Sequence, residues 1–218
     1  MKYDQKRTAG WLLLACLLLG LSSQVMAEQG PVEVLQTMTD TLVEIAREDP
    51  DVVNDMARLR DIANEVVLSR VDLTALSRWV LGKYWRTATP QQRAAFIVEF
   101  REMMLGSYLR SVSNYKENGV RFLPVRGGRN KGRVIVHAEV DQPNGPVVHV
   151  TFRMRIVKNE WLIYDVAVEG VSLVATHRAS FSREIHDSGM DSLIARLHAR
   201  NANRAKEEKV AGLEAARK

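Results

Sequence analysis

Hydrophobic residues recur at helical spacing through the first half of the chain and at alternate positions through much of the second. Leu35, Met38, Leu42 and Ile45 share one helical face, which ends near Asp49-Pro50. Met56, Leu59, Ala63 and Val66 repeat the pattern in a second helix. Asp72 caps a third, in which Leu73, Leu76 and Val80 face inward and Gly82 stops the helix. Thr89-Pro90 is a cap followed by proline at the first helical position, and it opens a helix running to about Glu117. At 1.5 Å per residue that helix is ~40 Å long. Its apolar set (Phe96, Ile97, Phe100, Met103, Met104, Tyr108, Leu109, Val112, Tyr115) covers a wide arc.

From residue 120 the period changes to two. Segments 120–125, 133–141, 147–157 and 161–168 read as strands, separated by Gly127-Gly128, Asn144-Gly145 and Lys158-Asn159. The connections are short enough for antiparallel neighbours, so the expected sheet is a four-stranded meander. Val134, Val136, Ala138 and Val140 share one face of the second strand; Val148, Val150, Phe152, Met154 and Ile156 share one face of the third. The other faces carry Arg133, His137, Glu139, His149, Arg153 and Arg155, which are expected in water. The last strand is different. Trp161, Ile163 and Ala167 fall on one alternation and Leu162, Tyr164, Val166 and Val168 on the other, with only Asp165 polar. A strand apolar on both faces needs cover on both, from protein or from a bound apolar molecule. Glu169-Gly170 turns the chain, Ser172 caps a helix over 172–187, and a second helix spans 191–198. Helices covering one face of an antiparallel sheet make an α+β fold.

Composition sets the compartment. Lys2, Lys6 and Arg7 precede an apolar run over 11–21, and Val25-Met26-Ala27 offers a small-residue cleavage site, so residues 1–27 read as a signal peptide. Eleven apolar residues are too few for a bilayer span, which takes ~20. Cys16 is the only cysteine, so the exported form has no disulfide, zinc-thiolate cluster or thiol nucleophile. Losing the signal also lowers the net charge from +5 to +3. Residues 28–199 read as one domain, and 200–218 as a charged tail forming a solvated or frayed helix.

Catalytic motifs are sparse. The five histidines form no His-Glu-x-x-His, and no metal site or cofactor is expected. His137 and His149 fall on polar strand faces and are candidate cross-strand neighbours. Gly106-Ser107 lies inside a helix, the wrong context for a nucleophile elbow. The Arg126–Lys131 segment lacks phosphate-loop spacing. Arg121, Arg126, Arg129, Lys131 and Arg133 crowd one hairpin, suited to phosphate, to an acidic partner surface or simply to solvent. Asp165 beside Tyr164 is the best general acid or base for an exported enzyme acting on a small apolar substrate. Its alternative is an ion pair, with Arg86 or Arg178 as the candidate partner. Basic residues interleaved with acids, without an aromatic-basic platform, argue against nucleic acid.

Tyr84-Trp85-Arg86, Gln91-Gln92-Arg93, Phe96, Phe100, Tyr108 and Tyr115 stand in the order of the central helical signature of the MlaC, or toluene-tolerance, family. Trp161, Tyr164-Asp165-Val166, Gly170-Val171-Ser172-Leu173-Val174, Arg178, Phe181 and Gly189 resemble its C-terminal signature. The resemblance spans roughly residues 32–197; Thr176-His177 and the tail after Arg200 depart from it. It implies a periplasmic, non-enzymatic phospholipid carrier with an internal apolar pocket. The implied partners are an inner-membrane ABC transporter complex with an MlaD-like hexamer and an outer-membrane MlaA-like lipoprotein complex with porin. The implied role is upkeep of outer-membrane lipid asymmetry. On that reading Val136, Val150, Phe152 and Val166 are candidates for one wall of the pocket. Phe100, Met104, Tyr108 and Leu109 would form the other, with Leu76 and Val80 closing an end. The same residues at the same spacing also make a close-packed core, and the residues alone leave an assembly module without a ligand open.

Overall fold

The computed structural model describes residues 29–113, 119–125, 132–142 and 145–215. Residues 1–27, read above as a signal peptide, and Tyr115, Arg126–Lys131 and Asn144 lie outside the described residues.

Helix α1 (Pro31–Glu48) starts after Gly30, whose amide donates to the Glu33 carboxylate one turn on. A short 3-10 turn (Pro50–Asn54) leads to α2 (Met56–Ile62), whose cap Asp55 accepts from the amides of Ala57 and Arg58. The second apolar stripe does not finish as regular helix. It widens into a π turn at Ala63–Val67 and tightens into a 3-10 turn at Leu68–Arg70. Then follow α3 (Leu73–Leu81), α4 (Tyr84–Thr87) and α5 (Pro90–Ser113). Thr89 and Gln92 cap α5 reciprocally, side chain to amide in both directions.

The sheet has five antiparallel strands rather than four, in the order β1-β2-β3-β4-β5: β1 (Val120–Phe122), β2 (Arg133–Val140), β3 (Val148–Val157), β4 (Glu160–Val168) and β5 (Val171–Ser172). The sequence reading runs from the Glu169-Gly170 turn directly into a helix cap. In the structure both turn residues have positive φ, so the chain folds back tightly enough for Val171 and Ser172 to pair with Val168 and Ala167. Two residues are too short to leave a periodic signal. Ser172 still caps α6 (Leu173–Ser188), accepting from the Ala175 amide, and α7 (Met190–Ala215) follows after Gly189.

A bulge resolves the doubly apolar strand. The β3–β4 register slips between Arg153 and Met154, which oppose Asp165 and Ile163, so Tyr164 has no partner. Residues directly opposite each other share a face. Ile163 therefore lies with Met154, and Val166 with Phe152, on one apolar face, while Asp165 and Ala167 cross to the face of Arg153 and Thr151. Plain alternation, which put Ile163 and Ala167 together, fails at that step. The register also sets His137 opposite Thr151 and His149 opposite Glu139, so the two histidines are not directly paired.

Two apolar clusters form the core. One is helical, joining α3, α5, α6 and α7 through Val80, Phe96, Phe100, Phe181, Leu193 and their neighbours. The other packs Val34 and Leu35 of α1 on Val134, Val136, Met154, Trp161 and Ile163 of the sheet. The charged segment after Arg200 continues α7 unbroken and runs beside α5. Asn201 donates to Glu99, and Arg60 of α2 bridges Glu102 of α5 and Glu208 of α7. At Gly106 a Cβ would collide with Arg204, so only glycine lets that arginine lie across α5.

Candidate functional site

Between the two clusters the interior is hollow. One chamber of about 190 Å³ is lined by Leu68, Val71, Leu73, Leu76, Met104, Leu105, Ile163, Val166 and Leu173, with Ala63, Val67, Tyr108 and Leu109. A second, of about 340 Å³, lies under α1 and is lined by Leu42, Ile45, Ala46, Val52, Leu59 and Ile62, again with Ala63, Val67, Tyr108 and Leu109. Those four shared residues mark where the chambers meet. Ala63 and Val67 begin and end the π turn, whose extra residue widens the helix there.

The walls are almost free of polar groups. In the first chamber the Tyr108 hydroxyl is the only polar side-chain group among the lining residues. In the second it is joined by Thr39, whose hydroxyl donates to the Leu35 carbonyl at 3.0 Å. Tyr108 is 36% exposed, so it stands at the mouth. Partial burial holds its phenol above the ordinary value, and the ring presents a neutral hydroxyl donor. Space of this kind has no groups to anchor water and suits apolar guests.

Five of the ten candidate residues meet here: Leu76, Met104, Tyr108, Leu109 and Val166. The other five sit elsewhere. Val80 and Phe100 belong to the helical cluster, and Val136 and Phe152 pack in the sheet cluster. Val150, opposite Ala138 and Val168, lines neither chamber. What sequence reasoning missed is the contribution of residues 62–73. Their apolar pattern was legible, but the switch from α to π to 3-10 geometry that turns Ala63, Val67 and Leu68 toward the hollow was not.

Two buried carboxylates fix the frame. Asp165 accepts from Arg153 Nη1 at 2.6 Å, from the Ser172 hydroxyl at 2.8 Å and from the Val174 amide at 3.2 Å. Its partner is thus Arg153, not Arg86 or Arg178. Asp72 accepts from Arg155 Nε at 2.6 Å and from the Ala75 amide at 2.8 Å, while its own amide donates to the Ile163 carbonyl at 2.8 Å. Arg153 and Arg155, expected in water, instead tie the starts of α6 and α3 to the sheet. With both oxygens of Asp165 engaged, no free carboxylate faces the hollow from β4. Among the described residues no group of His, Cys, Asp and Glu is placed to hold a metal. No helix among them is long and apolar enough to cross a membrane.

The family model for "MlaC protein" matches residues 36–199. The chain is 24% identical over 176 residues to the intermembrane phospholipid transport system binding protein MlaC of Haemophilus influenzae, covering 79% of this chain and 82% of that one. It is 26% identical over 180 residues to the toluene tolerance protein ttg2D of Pseudomonas putida, covering 82% and 83%. Its fold matches that of a phospholipid-binding protein from Ralstonia solanacearum, solved in complex with a phospholipid, with a TM-score of 0.72 at 24% identity. That match covers 79% of this chain and 97% of the other.

Proposed function

The chain belongs to the MlaC family, and on that premise we propose that it is a periplasmic carrier holding a phospholipid by its acyl chains. The observation that carries this reading is a pair of neighbouring apolar chambers that share Ala63, Val67, Tyr108 and Leu109 in their walls. Two adjacent chambers suit two chains of one lipid, and the Tyr108 hydroxyl at the mouth suits an ester or head-group oxygen. The relatives' names support the ligand class: one belongs to a phospholipid transport system, and the Ralstonia protein was solved with a phospholipid bound.

Energetics constrain how such a carrier works. Burying a methylene is worth ~0.8 kcal/mol against water. The lipid comes from a membrane, however, and transfer between two apolar surroundings is nearly balanced. The slow event is exposure of chains to water on the way. A carrier therefore loads and unloads while docked to a partner that shields the route. We assign those partners as an inner-membrane ABC transporter complex and an outer-membrane lipoprotein complex. No chemical step is needed, and the Asp165 carboxylate, held by Arg153, Ser172 and Val174, serves as a structural tie rather than as an acid or base.

Native mass spectrometry of the exported protein, with organic extraction of the same sample, tests the reading. A mass increment matching one phospholipid, recovered in the extract, is expected. A bare mass with no extractable lipid would overturn it.

A further inference from the structure

Between Asp72 and Glu99 the chain has no carboxylate side chain, yet it carries Arg78, Lys83, Arg86 and Arg93. These residues span α3, α4 and the start of α5. None of the four makes an ion pair among the described residues. Elsewhere cations find acids, as in Arg60 with Glu102, Arg121 with Glu139, and Arg196 with Glu184. Here they find aromatic faces and carbonyls. Arg93 lies 5.3 Å from the Trp85 ring centre and donates to the Trp85 carbonyl at 2.9 Å. Lys83 lies 5.0 Å from the Tyr84 ring centre. Arg178, reaching over from α6, sits 5.8 Å from the Trp79 ring centre and donates to the Trp79 carbonyl at 2.7 Å. Such partners orient a cation without neutralising it.

Trp79 completes the surface. It is 44% exposed, with its ring stacked 6.3 Å from that of Tyr164, the unpaired bulge residue of β4. A half-exposed tryptophan with Arg178 over its ring, in a stretch whose exposed Arg78, Lys83 and Arg86 have no acid partner, has the composition of a membrane–water interface anchor. An acidic protein surface would need only the cations. We propose that the face made by Arg78, Trp79, Lys83, Arg86 and Arg178 docks on an anionic bilayer surface, with Trp79 seated among the lipid head groups. The same helix α3 carries Leu73 and Leu76 in the wall of the first chamber, so docking would bring that chamber beside the membrane. Contact with a bilayer through this face is independent of what the chambers hold.

The test is co-sedimentation of the exported protein with phosphatidylcholine vesicles and with vesicles that also contain phosphatidylglycerol. Binding is expected only to the second kind and should weaken with salt. At ~1 kcal/mol per cation near such a surface, Arg78→Gln/Lys83→Gln/Arg86→Gln should weaken it on the order of a hundredfold. Trp79→Ala should weaken it severalfold and abolish a lipid-induced blue shift of tryptophan emission. A control variant, Arg47→Gln/Lys206→Gln/Lys209→Gln, loses the same charge from other exposed positions and should bind nearly as the parent does. Circular dichroism and co-purifying lipid should be unchanged in all three, which separates this surface from the cargo site. Failure of the parent to bind phosphatidylglycerol vesicles, or equal losses in the control, would overturn the proposal. So would binding to polyglutamate in place of vesicles, the mark of an acidic protein partner.

Discussion

The two halves of α5 do opposite things with similar residues. In the first half Phe96 and Phe100 stack at 5.4 Å, and Phe181 meets both edge-on at 5.8 and 6.0 Å. Phe96, Phe100 and Met103 are at most 2% exposed, in a cluster that four helices close. From the next turn on, Met104, Leu105, Tyr108 and Leu109 face a hollow. Rigid rings locked at fixed angles make a solid interior; flexible aliphatic chains over a widened π turn make room. The solid half holds the helices together, while the hollow half leaves space unfilled by side chains. An apolar helical stripe is therefore not one kind of surface, and the difference is decided by what lies opposite.

Substitutions that respect this division should split stability from occupancy. The largest effect is expected in the solid half. Phe100→Ala should lower the unfolding free energy by about 3–5 kcal/mol in urea titrations. Next come the ties that suspend α3 and α6 from the sheet. Asp165→Ala leaves Arg153, Ser172 and the Val174 amide without their acceptor. It should cost about 1–3 kcal/mol by the same measurement. In the hollow half the order reverses. Val67→Phe should change stability by no more than about 1 kcal/mol, because there is space to receive the ring. Lipid recovered by extraction should nevertheless fall severalfold; unchanged recovery would remove Val67 from the cargo site.

The smallest effect is pH-dependent. His177 packs 5.6 Å from Phe181 and 5.7 Å from Phe100, and burial, helped by Arg200, lowers its pKa. The folded protein thus disfavours the charged imidazole, while the unfolded chain takes up the proton near the ordinary value of ~6.5. Stability should therefore fall as pH drops through about 6.5 and level off once the folded-state pKa is passed. His177→Phe should flatten that slope in thermal melts taken across the window.

The secondary-structure elements were largely legible in advance, but the division within α5 was not: Phe100 was a wall candidate and packs in the solid cluster. Helix starts at Asp72, Thr89 and Ser172 were readable because caps are local chemistry. Strands β2, β3 and β4 were readable because their apolar patterns persist over eight to ten residues. The fifth strand was too short to show a period. The bulge at Tyr164 was invisible because one inserted residue changes the face of everything after it without changing composition. At the site, the family resemblance offered Leu76, Met104, Tyr108, Leu109 and Val166 from regular elements, but equally Val80, Phe100, Val136, Val150 and Phe152, which line neither chamber. Ala63, Val67 and Leu68 reach the hollow through a change of helix type that no spacing rule anticipates. The tail after Arg200 lacks an apolar stripe, and its hold on the body is polar instead: Asn201 on Glu99, Glu208 on Arg60. Such contacts depend on partners more than a hundred residues away in the chain.

The central claim is that the space between Ala63, Val67, Tyr108 and Leu109 belongs to a guest. A crystal structure of the exported protein, purified without any delipidating step, addresses it directly. The account predicts continuous acyl-chain density in both chambers, meeting at the π turn, with a polar end near the Tyr108 hydroxyl. An interior closed by its own side chains, with no density between those four residues, would contradict it.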